Sequence, residues 1–271
     1  KITKKKRIIV KFDNFKKKKK LNKIGHNIFC DKSTVYIQII ILFFKLRISL
    51  TNLNKNKSVI SMNKTYYYFS KLFFNNGILN SISLDKIIFD IINYKLILNN
   101  CLPFHSGLSL NNRITNIYLG LAGSGKSILI NELIKSGKEI VLSDDLIYLK
   151  KSRIYFIKNY VSLRRFSSLG IFDYLIPKNL TRRKIQIKIF KKFININNKI
   201  IFYHLINETK NKLNISNDKL IKTIEVIIKK NINFFNNRLL YSYLYMFPET
   251  IYSVEKIKKN LILNIIKKLK N

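Results

Sequence analysis

Tryptophan is missing from this chain altogether, and its 271 residues include only three prolines and eight glycines. That scarcity excludes collagen-like repeats and Pro/Gly-rich low-complexity chains. The two cysteines, Cys30 and Cys101, stand far apart with no CxxC spacing. A disulfide framework or a structural zinc site is therefore not expected, and a reducing, cytoplasmic compartment is the expectation. The most apolar stretch, VYIQIIILFFKL from Val35 to Leu46, is too short to span a bilayer and is interrupted by Lys45 and Arg47. Its β-branched and aromatic content predicts a buried strand. The first twenty residues have a basic run but no apolar stretch or small-residue cleavage site of the kind a secretory signal needs.

Carboxylates are also few. Fourteen Asp and Glu stand against 52 Lys and Arg, for a formal net charge of +38. Such an excess ordinarily points to nucleic acid or an anionic membrane. Here it comes with abundant Asn, Ile, Phe and Tyr, and the codons of all these types are built mainly of A and T. Base composition alone yields that profile, so the charge is read chiefly as genomic bias. Loose, nonspecific polyanion binding through the basic arm stays open. What is present suffices for a core: the hydrophobic fraction is 47% in a length suited to one large domain, or one domain with an appendage.

Three segments differ in texture. Residues 1–20 form a basic low-complexity arm with a lysine run at Lys16–Lys20, expected to be a solvated tail dispensable for catalysis. Residues 21–80 form a β-rich N-terminal region, strand-like as far as Phe74 and broken by TNLNKNKS. Residues 81–271 read as a mixed α/β domain. Leu84, Ile87, Ile88, Ile91 and Ile92 have the spacing of one helical face, with Ser83 as N-cap. The segment CLPFHSGLSLNNRITNIYLG predicts a strand, a turn at Asn111–Asn112 and another strand. Arg153–Phe166 and Lys184–Phe202 alternate like further strands, and Asp218–Asn231 has amphipathic helical spacing. The C-terminal segment predicts a strand, a break at Pro248 and a terminal helix. There is no internal repeat.

The chemistry concentrates in ITNIYLGLAGSGKSILINELIKSGKEIVLSDDLIYL, Ile114 to Leu149. GLAGSGKS satisfies G-x-x-x-x-G-K-[ST], with Gly120, Gly123, Ser124, Gly125, Lys126 and Ser127 in the loop. A strand over Ile114–Leu119 leads into it. Helical spacing follows over Lys126–Ser136, and Gly137 is placed to end that helix. Glycine suits such a loop because the backbone must turn sharply and approach a phosphate without a Cβ. Its N–H groups and the helix dipole then face the anion. Lys126 is expected to reach the β- and γ-phosphates of ATP, and Ser127 to ligate Mg²⁺. The next strand ends in Asp144 and Asp145, at the end where open sheets bind ligands. One carboxylate there can hold Mg²⁺; the other can take the proton of an attacking hydroxyl, or simply cap a turn. Which does which is not set by sequence.

The loop, the short helix ending in glycine and the strand ending in two aspartates together resemble the catalytic domain of HPr kinase/phosphorylase and its kinase-like relatives. LPFHSG, Leu102–Gly107, is similar to the histidine element that precedes the loop strand in that family. YVSLRRF (Tyr160–Phe166) and YLYMFPETIYSVEKI are similar to later family segments. The resemblance covers roughly Ser81 to the C-terminus. It implies a P-loop mixed sheet flanked by helices and an ATP- and Mg²⁺-dependent transfer to a serine of a protein or peptide. It also implies catalytic roles for His105, Asp144 and Asp145. The glycine-rich signature loop of the bifunctional enzymes has no match after the aspartates, where RRFSSLGIFDYL stands. The resemblance is thus to the kinase-like branch without that signature loop, and it leaves phosphorylase activity open.

Read apart from the resemblance, His105 is a lone histidine, a type more often structural than functional. His26 and His204 have no partners at ligand spacing, and Arg164 and Arg165 serve equally as phosphate contacts or as surface charge. Three other functions stay open: a P-loop ATP-binding module or NTPase without kinase activity, a basic nucleic-acid-binding protein, and a small-molecule P-loop kinase. The paired carboxylates favour an enzyme. The lack of interleaved aromatics in residues 1–20 disfavours sequence-specific RNA reading.

Overall fold

The computed structural model describes residues 7–13, 22–72, 83–112, 114–120, 124–144, 146–150, 153–156, 160–164, 182–186, 193–195, 200–204, 222, 226 and 238–270. The chain is mixed α/β. It divides into two compact units, Lys1–Lys95 with Leu169–Lys178 and Phe235–Glu255, and Leu96–Ser168 with Asn179–Phe234 and Lys256–Asn271. Residues 20 and 80, where the sequence changes texture, both lie inside the first unit, and the division falls within a helix. Most of Asp218–Asn231 lies outside the described residues.

The first unit is built on a six-stranded sheet of β1 (Arg7–Phe12), β2 (Asn22–Gly25), β3 (Ile28–Cys30), β4 (Thr34–Ile41), β5 (Phe44–Thr51) and β6 (Lys57–Met62). The strand order is β1-β6-β5-β4-β3-β2. Alternation sets its core: Val35 and Ile37 on β4, Leu46, Ile48 and Leu50 on β5, and Ile60 and Met62 on β6 are buried. Three features differ from the sequence reading. Arg7–Phe12, inside the segment read as a tail, forms an edge strand parallel to β6. The apolar run Val35–Leu46 is not one buried strand; it turns at Leu42–Phe43 and pairs with itself as a hairpin. Helix α1 (Lys64–Leu72) replaces the last expected strand. Asn63 starts it, its Oδ1 accepting from the backbone N–H of Tyr66 at 3.0 Å. Three consecutive tyrosines read locally as strand, and this cap overrides that preference.

Helix α2 (Leu84–Ile97) begins after Ser83, whose hydroxyl lies 3.5 Å from Lys86 N. Leu84, Ile87 and Ile91 are buried as expected, but Ile92 is exposed, whereas Asp90, Asn93 and Lys95 are buried. The buried face is therefore rotated from the apolar stripe, and partners explain part of it. Lys95 Nζ donates to the carbonyls of Leu53 (3.2 Å) and Lys55 (2.9 Å) in the β5–β6 turn. Tyr94 donates to Asn54 Oδ1 at 2.7 Å. The turn TNLNKNKS thus becomes the clasp of α2. Helix α4 (Arg238–Met246) stands where a strand was expected. Leu239, Leu240, Tyr243 and Leu244 are buried and Tyr241 and Tyr245 exposed, which is helical rather than alternating. Tyr243 OH accepts from Leu53 N at 3.1 Å, binding α4 to the same turn. Pro248 opens α5 (Pro248–Lys270), where its missing N–H costs nothing.

In the second unit β7 (Leu102–Phe104), β11 (Ile147–Lys150), β12 (Arg153–Phe156) and β15 (Phe193–Asn195) form one sheet, ordered β15-β12-β11-β7. A second sheet holds β8 (Gly107–Asn111), β9 (Ile114–Leu119), β10 (Ile140–Ser143) and β16 (Ile200–His204), ordered β10-β8-β9-β16. A separate pair joins β13 (Tyr160–Arg164) to β14 (Arg182–Gln186). The β8–β9 turn is the expected one, with Asn112 at φ 51°. Between β9 and β10 lies α3 (Lys126–Ser136), closed by Gly137 at φ 65°, whose N–H bonds Leu133 O at 3.2 Å. Ile130 of α3 packs with Tyr118 and Val141 on the sheet.

Gly107 makes that docking possible. A Cβ built there would lie 2.8 Å from Ile130 Cδ1 and 3.1 Å from its Cγ1. We expect Gly107→Val to cost about 1–3 kcal/mol by overpacking. Adding Ile130→Ala should recover part of that loss. Chemical denaturation of the single and double variants checks it; equal stability of Gly107→Val and the parent would contradict the packing.

Candidate functional site

Strand direction brings the site together. β8 runs antiparallel to both β9 and β10. The start of β8 and the ends of β9 and β10 therefore lie on one edge of the sheet. Onto that edge open three segments: His105–Ser106 before β8, the loop from Gly120 after β9, and Asp144 after β10. Two of them are also where the chain passes between the four-stranded sheets. β7 leads through His105–Ser106 into β8, and β10 leads through residues 144–146 into β11, which pairs with β7. Ser143 Oγ donates to Leu146 O at 3.0 Å and holds the second crossing.

Of the loop residues, Gly120 is buried at the end of β9, and Gly123 lies outside the described residues. Gly125 is the N-cap of α3, at φ 80° and ψ 4°, a left-handed conformation that a β-carbon disfavours. Its carbonyl accepts from the N–H groups of Ile128 and Leu129 at 2.9 and 3.0 Å. The N–H groups of the first turn have no carbonyl within the helix to take them. Among the described residues nothing lies within 4 Å of a Cβ built on Gly125. Ser124 Oγ is buried with no hydrogen-bond partner. Ser127 is half-buried on the first turn of α3.

Lys126 is 6% exposed, and its Nζ lies 3.0 Å from His105 Nε2. An ammonium there donates to Nε2, the pairing that the tautomer with its proton on Nδ1 allows. Burial holds the Lys126 ammonium below its ordinary value, and the Asp144 carboxylate acts against that shift. Asp144 itself is 2% exposed. The structure therefore gathers His105, Lys126 and Asp144. Asp145 lies outside the described residues, as does Arg165; Arg164 is on β13. Among the described residues there is no group of three or more His, Cys, Asp or Glu suited to a metal, and no helix long and apolar enough to cross a membrane.

Two features at these strand ends escaped the sequence. Ser106, fully buried beside His105, has an Oγ with no hydrogen-bond partner. At the opposite end of β10 from Asp144, Glu139 accepts from Ser109 Oγ, from Tyr118 OH at 2.8 Å and from Asn116 Nδ2 at 3.1 Å. Burial acts to raise the Glu139 carboxyl, but these hydrogen bonds outweigh it and hold the group below its usual range. The cluster fastens the α3–β10 turn to β8 and β9. Ser109, Asn116 and Tyr118 sit at alternate strand positions, so their shared face was legible; Glu139 as their focus was not. No family model and no curated protein matches this chain.

The carboxylate of Asp144 favours charged Lys126, so Asp144→Asn should lower the lysine's pKa further. Titration of the Lys126 ε-carbon by NMR reads this directly. An unchanged or raised midpoint would show that the two charges do not interact.

Proposed function

We propose that the second unit is an HPr kinase-like P-loop domain that transfers the γ-phosphoryl group of ATP to a serine of a protein or peptide. One observation carries most of this reading. Lys126, the first residue of a helix capped by a left-handed glycine, is buried against His105 within the field of Asp144. A buried lysine at the N-terminus of a helix is suited to receive an anion. The strand–loop–helix order around GLAGSGKS and the shared strand edge support the same reading.

The residues fit Mg²⁺–ATP in kind. Ser127 offers a hydroxyl and Asp144 a carboxylate, both hard oxygen donors. Bound there, Mg²⁺ would neutralise charge on the phosphate oxygens. Lys126 would leave His105 for the β- and γ-phosphates, and the N–H groups of the first helical turn would hold phosphate oxygens. His105 would then be free to hydrogen-bond the transferring group. The acceptor serine oxygen forms its bond to the γ-phosphorus as the bond to the bridging oxygen breaks. One aspartate of the pair would take the serine proton, and the other would hold Mg²⁺ when it is bound.

ATP affinity measured by calorimetry with Mg²⁺ should be lost in Lys126→Ala; equal affinity in both proteins overturns the phosphate site. For Asp144→Asn and Asp145→Asn, one variant should lose Mg²⁺-dependent ATP affinity. The other should keep affinity while phosphoryl transfer falls about a hundredfold or more, the scale of a positioned base. Transfer at the parent rate in both leaves an ATP-binding module without kinase chemistry as the better account.

A further inference from the structure

Among the described residues five non-glycine residues adopt positive φ: Asn27, Leu42, Asn52, Asn100 and Asn112. Four are asparagine, the side chain that tolerates the left-handed region best. Leu42, at φ 53°, is the exception. It forms the tip of the β4–β5 hairpin with Phe43. Leu42 is 81% and Phe43 95% exposed, and Ile40 and Phe44 beside them are 52% and 48% exposed. The turn thus carries backbone strain and apolar exposure together. A chain this rich in asparagine could have avoided both with one substitution. Strain that persists at an exposed position points to use.

The hairpin also outreaches its neighbours. β3 pairs with β4 only as far as Ile37, and β6 pairs with β5 only as far as Ile48. Beyond Gln38, residues 39–44 pair, among the described residues, only with each other and with Lys45 and Leu46. At the 3.4 Å rise of a strand the tip stands about 10 Å past the sheet edge. Phe69 of α1 packs against Phe44 next to the turn, with ring centroids 5.0 Å apart, and leaves Leu42 and Phe43 uncovered. The charge around it has one sign. β4, β5, α1 and β1 contain no carboxylate, while Lys11, Lys45 and Lys64 are exposed and Arg47 is half-buried. Of the acidic residues flanking these elements, Asp13 stands directly after β1, and Asp31 precedes β4 at the end away from the tip.

The geometry points to this finger as a membrane anchor of the first unit, inserting Leu42 and Phe43 into the headgroup–acyl boundary of an anionic bilayer. Its reach matches the roughly 5–10 Å to which amphipathic anchors are buried. The basic flank supplies attraction to anionic lipid. A second copy of the chain fits worse. A stable dimer buries about 1,600 Å² over some 20–30 residues a side, and a six-residue convex tip offers far less.

The absence of tryptophan gives a clean reporter. Phe43→Trp in the full chain should shift its emission to the blue on phosphatidylcholine vesicles containing about one-third phosphatidylserine. Brominated lipid should quench it, and pure phosphatidylcholine should give a much weaker response. The variant Leu42→Asn/Phe43→Ser should lose about tenfold or more in vesicle affinity by flotation, yet unfold at the same temperature or higher, since asparagine suits the turn. Vesicle binding that leaves the tryptophan emission unmoved would mean attachment through the basic arm and would overturn the proposal. So would equal flotation of the double variant and the parent. Concentration-dependent self-association abolished by the double variant, without vesicle insertion, would assign the tip to a second copy and overturn it as well.

Discussion

The candidate site depends on the antiparallel direction of β8 relative to the two strands beside it. Because β9 and β10 run opposite to β8, the residue before one strand and the residues after two others share an edge. His105, the loop that opens α3 and Asp144 come from positions spread over forty residues, and only this pairing collects them. Were β10 paired the other way, Asp144 would face the end where Glu139 now lies. The sheet crossings add rigidity, because His105 and Asp144 sit at corners where the chain is tied to strands on both sides.

Helix α3 is fixed against that edge from both ends. Gly125 lets the chain enter the helix from a left-handed turn, and Gly137 lets it leave by another. Between them Ile130 fills the space that Gly107 leaves open. Past the exit, Glu139 gathers Ser109, Asn116 and Tyr118. The lysine at the first position of this helix rests against His105. Its burial against an imidazole and within reach of a carboxylate is a polar arrangement that costs desolvation.

The first unit solves a different problem. Its sheet core follows ordinary alternation, but its helices are held by polar contacts to one turn: Lys95 and Tyr94 of α2 and Tyr243 of α4 all bond within residues 53–55. Buried lysine is tolerated there because two carbonyls receive its ammonium. At the other end of β5, the Leu42–Phe43 turn has no such cover. One turn of the sheet is thus held by polar partners, with Leu53 buried among them, while another exposes its most apolar residues.

What could be read from the residues was whatever depends on local spacing. The β8–β9 hairpin, the strand into the glycine loop, α3 with its Gly137 stop and the N-cap at Ser83 follow from periodicity and turn chemistry acting over a few residues. Local spacing misread Arg7–Phe12 as a tail, because an edge strand is stabilised by its partner β6 and not by its own sequence. It misread Lys64–Leu72 and Arg238–Met246 as strands, because aromatic content favours strands until a cap at Asn63 or packing of Tyr243 decides otherwise. Leu42–Phe43 was taken into a buried run because the reversal there has no glycine or asparagine to announce it. The residue types of the site, His105, Lys126, Ser127 and Asp144, were legible one by one. That Lys126 and His105 touch, that Asp144 lies in their field and that Glu139 closes the other end were decided only by strand order, since hydrogen-bond pairing between strands is set by the whole sheet and not by any one strand in it.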